Sequence, residues 1–98
     1  MTDRELLELA YKAANGGALL WDDKDVSKHW NPLINDGDAL RLAVKLKLSL
    51  YINHAVRVDY HIPNAFPTTP LYEPLEPDVY AATRRAIVRA AAEIGKTL

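Results

Sequence analysis

Residues 30–48, WNPLINDGDALRLAVKLKL, constrain this fold more than any other part of the chain. Asn35, Asp36 and Asp38 stand where a helix should begin. An Asn or Asp at the N-cap offers a side-chain oxygen to a free backbone N–H, and acids in the first turn complement the helix dipole. Leu40, Leu42, Ala43, Val44, Leu46 and Leu48 then leave few polar positions. Asp38, Arg41 and Lys45 follow at spacings of three and four and line one narrow stripe. A helix over 39–48 that is apolar around most of its circumference is a buried helix. In so short a chain, that predicts cover from other elements or from a second subunit, hence a homo-oligomer. Upstream, Trp30 and Leu33 flank Pro32. Trp30 reads either as a core anchor or as one wall of a ligand pocket.

The remaining elements follow from local signals. Thr2 and Glu5 have capping-box spacing, so a first helix starts at residue 3. Leu6, Leu7, Leu9, Ala10, Ala13 and Ala14 supply its buried face, and Glu8 with Lys12 has the favourable i,i+4 order. Asn15, Gly16 and Gly17 stop it. Residues 18–21 are a short apolar run after a breaker and read as a strand. The acids at 22, 23 and 25 invite a calcium reading. An EF-hand loop counted from Asp23 would need Gly at the sixth position and Glu at the twelfth, where Lys28 and Ile34 stand, so the template fails.

Two period-two runs follow. Leu48, Leu50 and Ile52 alternate with Ser49, Tyr51 and Asn53. Val56, Val58, Tyr60 and Ile62 alternate with Arg57, Asp59 and His61. A three-residue loop, Asn53-His54-Ala55, pairs Ile52 with Val56, Leu50 with Val58 and Leu48 with Tyr60, apolar on apolar. The second face then carries Ser49, Tyr51, Arg57, Asp59 and His61, polar enough to be wet or to line a site. Residues 63–77 hold five prolines, which exclude helix and central strand and predict a long loop. Phe66, Leu71, Tyr72 and Leu75 are interleaved with them. This loop either contacts a partner protein or subunit, or drapes over its own core. Pro77 and Asp78 open a last helix. Its face of Val79, Ala82, Thr83, Ala86, Ile87, Ala90 and Ile94 is mostly small, and Gly95 ends it. Arg84, Arg85 and Arg89 lie on its outer side, as a solvated face or as an anion-binding ridge.

The expected fold is therefore a single α+β domain over 1–98, in the order α-β-α-β-β-α. A three-stranded, mostly antiparallel sheet packs with three helices in a layered sandwich. Twelve basic and 13 acidic residues give a net charge of −1, which argues against a dedicated nucleic-acid binder. Without cysteine there is no disulfide framework and no thiolate metal site. The start MTDRELLELA lacks the basic and apolar regions of a signal peptide, and no segment reaches membrane-spanning length, so a cytoplasmic location is expected.

Two segments resemble the phage ABA sandwich domain, a family of small proteins of tailed phages and prophages. They are WNPL followed by DGDALRLAVKL, and ATRRAIVRAAAEIG at 82–95. A looser likeness is to NinX-type phage proteins. The resemblance implies a phage origin and a layered α/β fold, and it hands over no catalytic residue. A sheet covered on both sides should be apolar on both, so the polar second face implies partial cover or a pocket.

No catalytic constellation is present in the sequence. His29, His54 and His61 have no metal-ligand spacing, and the glycines match no phosphate-loop template. The chain therefore reads as a non-enzyme without cofactor. The first functional reading is a phage accessory protein that sequesters a small anionic, nucleotide-like signalling ligand. Trp30, Tyr51, Arg57, Tyr72 and one or more of Arg84, Arg85 and Arg89 would form its site, since such ligands need an aromatic to stack on and arginine for phosphate. The second is an interaction module that uses 63–77 to hold a host or phage protein.

Overall fold

The structure, a computed structural model, describes residues 1–17, 29–62 and 70–98. Among these residues the elements are α1 (Asp3–Ala14), α2 (Asp36–Lys45), β1 (Ser49–Ile52), β2 (Ala55–Asp59), β3 (Leu71–Pro74) and α3 (Val79–Gly95). The class is α+β, and the described order is α-α-β-β-β-α. The sheet is antiparallel throughout, with strand order β1-β2-β3. The strand expected at 18–21 and the acids at 22–25 lie outside the described residues.

Among the described residues the third strand of the sheet comes from the Pro-rich stretch. Residues 71–74 pair with β2, Ala55 opposite Pro74 and Val58 opposite Leu71. Proline is compatible with this because β3 is an edge strand, where a missing N–H need not cost a ladder bond. Leu71 and Leu75 pack against Val56, Val58, Ala82 and Ala86, so this part of the stretch belongs to the core.

The caps follow their sequence signals. Thr2 Oγ1 accepts from the Glu5 N–H at 3.1 Å. Asn35 accepts from the Asp38 N–H at 2.9 Å, and Asp78 accepts from the Tyr80 and Ala81 N–H groups. Helix α1 ends in a Schellman motif: Gly16 has φ +64°, and the Gly17 N–H donates to the Lys12 carbonyl at 2.8 Å. Glu8 pairs with Arg4 one turn back rather than with Lys12 one turn ahead. The hairpin has the expected register, Ile52 opposite Val56 and Leu50 opposite Val58.

Helix α2 departs from expectation in two ways. It stops at Lys45, three residues early, through a second Schellman motif. Lys47 takes φ 56°, its N–H donates to the Val44 carbonyl, and the Leu48 N–H donates to the Ala43 carbonyl at 2.9 Å. It is also not buried all round. Ala39, Leu42 and Ala43 are buried, but Leu40 is 61% and Val44 69% exposed. The buried helix is α3, which packs on α1, on α2 and across β2 and β3. Its alanines explain this: Ala86, Ala90, Ala91 and Ala92 are fully enclosed, and small side chains let neighbours close in from several sides. Gly95 is its last residue because of packing against α1, not because of a left-handed cap.

Candidate functional site

Inward residues of the sheet, Val56 and Val58 above all, are buried against α3. The opposite face carries Ser49, Tyr51, Arg57 and Tyr72, all exposed. Strand register sets Tyr51 opposite Arg57 and Arg57 opposite Tyr72, so the three form one row across the sheet. The Arg57 guanidinium lies 5.0 Å from the centroid of the Tyr51 ring, a cation–π contact.

Arg57 is fixed by its own strand. Two residues on and on the same face, Asp59 accepts from Nε at 2.9 Å and from the terminal nitrogen at 3.0 Å. This bidentate pair raises the Arg57 pKa above its ordinary value through the Asp59 hydrogen bond, so the guanidinium stays charged. It also holds the guanidinium over the outer face of the sheet, against the Tyr51 ring. Beside the row is a shallow cleft of about 350 Å³, lined by Lys47, Ser49, Arg57, Asp59, His61 and Pro70. Arg57 and Asp59 offset each other there. Lys47 makes the remaining charge positive.

Of the residues expected to bind a ligand, Tyr51, Arg57 and Tyr72 therefore come together. The others lie elsewhere. Trp30 packs edge-on against Tyr11, ring centroids 5.6 Å apart, and joins the core between α1 and α2. Arg84 donates to the Leu33 carbonyl at 2.9 Å and to Asp36 at 2.7 Å. Arg85 reaches Asp3 at 3.3 Å and Glu73 at 4.0 Å. Arg89 pairs with the Glu73 carboxylate and donates to the Tyr72 carbonyl. These arginines fasten the loop before α2 and strand β3 onto α3. Lys47 joins the cleft from the junction of α2 and β1, a position that no sequence motif marks. Its only signal is a lysine between two leucines at a helix-to-strand junction.

The loop before α2 is itself a lock. Asn31 Oδ1 accepts from the Leu33 N–H at 3.0 Å, and the Asn31 N–H donates to Asp38 at 2.9 Å. Asp38 is 8% exposed and also accepts from Arg41. Pro32 is fully enclosed.

A second concavity lies on the other side of the sheet. It is an apolar groove of about 380 Å³ between α2, β1 and the start of α3, with Leu40, Leu50, Ile52, Val79, Tyr80 and Ile87 among its walls. Among the described residues no group of three His, Asp or Glu is placed to hold a metal, and no helix is long and apolar enough to cross a membrane. Comparison with family models, with curated proteins and with solved structures gives no match.

Proposed function

We propose that the outer face of the sheet binds a small, planar, anionic ligand of nucleotide type and holds it without turnover. The row Tyr51–Arg57–Tyr72 carries this reading. Two exposed aromatic rings flank a guanidinium already oriented by Asp59. A base stacks on an aromatic or guanidinium plane at about 1–3 kcal/mol per base. Lys47, Ser49 and His61 in the adjoining cleft supply donors for a phosphate. The likeness to the phage ABA sandwich domain makes sequestration of a host signalling nucleotide, in the host cytoplasm, the biological form of this proposal. The alternative, an interaction module built on residues 63–77, has less room, because Leu71 and Leu75 are committed to the core.

A thermal-shift screen against mono-, di- and cyclic nucleotides and ADP-ribose tests the proposal. A ligand at a hundred times its Kd adds about 2.7 kcal/mol, on the order of 10 °C or more in a domain of this size. The shift should vanish in Arg57→Ala and Tyr72→Ala and persist in Arg85→Ala. A flat screen, or a shift that Arg57→Ala retains, would contradict it.

A further inference from the structure

The two edges of the sheet are treated differently. Edge strand β3 carries Glu73 and ends in Pro74, with Pro70 just ahead of it. Charges and prolines are the usual means of keeping an edge from pairing with another chain. Strand β1, Ser49-Leu50-Tyr51-Ile52, has neither. Among the described residues no strand lies beyond it, so β1 is the other edge of the described sheet. Its inward residues Leu50 and Ile52 open into the apolar groove, whose rim is exposed: Ile52 is 56% and Tyr80 69% accessible.

We infer that β1 is the interface of a symmetric dimer, in which β1 pairs antiparallel with β1 of a second copy about a two-fold axis at Tyr51. Three observations select a second copy as the occupant. First, opposed residues in an antiparallel pair share a face, and a two-fold at Tyr51 sets Leu50 opposite Ile52 of the partner subunit twice over. Each apolar residue then meets an apolar one. Second, β1 has no charge, so self-pairing opposes no like charges. Third, the edge is flanked by exposed apolar side chains: Leu40, Ile52, Val79 and Tyr80 line the groove beside it and are all substantially exposed. Such an interface also covers Leu40 of α2, which the monomer leaves bare.

The dimer joins the two described sheets into one of six strands. Its outer face joins the two rows end to end, Tyr51 beside Tyr51 of the partner subunit with an arginine and a tyrosine beyond each. This inference stands on the edge and the groove alone and does not require any ligand.

The test uses the full chain. Sedimentation equilibrium at about 100 μM should give twice the 11.0 kDa chain mass, and Ile52→Lys should halve it while leaving the circular dichroism spectrum unchanged. Because the chain has no cysteine, Tyr51→Cys introduces a single thiol. Opposed Cα atoms in an antiparallel pair are about 4.5–5.5 Å apart, within the ~4.4–6.8 Å range of disulfides. Mild oxidation should therefore cross-link most of Tyr51→Cys and little of Ile34→Cys, whose side chain is exposed on the loop before α2. A monomer at 100 μM overturns the inference. So does a dimer that Ile52→Lys leaves intact and Tyr51→Cys fails to cross-link.

Discussion

Gly95 of α3 lies against the backbone of α1 so closely that a Cβ there would fall 2.1 Å from the Leu9 carbonyl oxygen. Backbone cannot give way as a side-chain tip can. Gly95→Ala should therefore force α1 and α3 apart and destabilise by about 3 kcal/mol or more, as overpacking of a tight core contact does at its upper end. Gly16→Ala is the comparison, with open space around it and only φ +64° against it. It should cost about 1 kcal/mol. Urea denaturation of both variants checks the difference.

Lys47 offers the reverse. It closes α2 in the left-handed region, at φ 56°, where a side chain is strained and glycine is not. Lys47→Gly should raise stability by up to about 1 kcal/mol, or roughly 4–8 °C in Tm. The same change removes a cation from the cleft beside Arg57. It should thus weaken nucleotide binding while strengthening the fold, and thermal melts with and without ligand separate the two effects.

Arg84 joins α3 to the loop that leads into α2. From α3 it holds the Leu33 carbonyl and Asp36 across a sequence gap of about fifty residues, with its side chain 18% exposed. Asp36 is largely solvated, so the bond to the Leu33 carbonyl matters more. Arg84→Ala should cost about 2 kcal/mol. Arg84→Lys should recover only part of this, because one ammonium cannot match the fork that reaches both acceptors. Chemical denaturation of the pair checks it.

Tyr60 gives an alkaline signature. Burial, with help from Glu93, raises its phenol above the ordinary 10.0. In the unfolded chain the phenol ionises first, so the folded state binds more protons at high pH. Its contribution is complete below pH 10 and is lost as pH rises through the raised value. Melting curves between pH 8 and 11 should fall less steeply above pH 10 in Tyr60→Phe than in the parent chain.

The features legible in the sequence were those set by neighbours along the chain. Thr2, Asn35 and Asp78 cap as their side chains dictate, Gly16 and Gly17 end α1, and face parity fixed the hairpin register at Ile52 and Val56. Strand β3 was not legible, because its pairing depends on β2 some 15 residues away and on Arg89 holding Glu73 from a third element. The same holds for the arginines of α3. Their spacing marks an outer face, but only the fold brings Leu33, Asp36, Asp3 and Glu73 to them. The exposure of Leu40 and Val44 was hidden too, since an apolar stripe looks alike whether its cover is intramolecular or not. The alternation of Tyr51, Arg57 and Asp59 marked a polar face, and Tyr72 joined it through the unforeseen strand.

The most direct test of ligand binding is a set of amide correlation spectra of ¹⁵N-labelled protein, titrated with mono-, di- and cyclic nucleotides. The account predicts saturable shifts for at least one nucleotide, clustered at Tyr51, Arg57, Asp59, His61 and Tyr72 and absent around Trp30 and Arg85. No shift from any of them at about 100 times a micromolar Kd, or shifts centred on Leu40 and Tyr80, would contradict it.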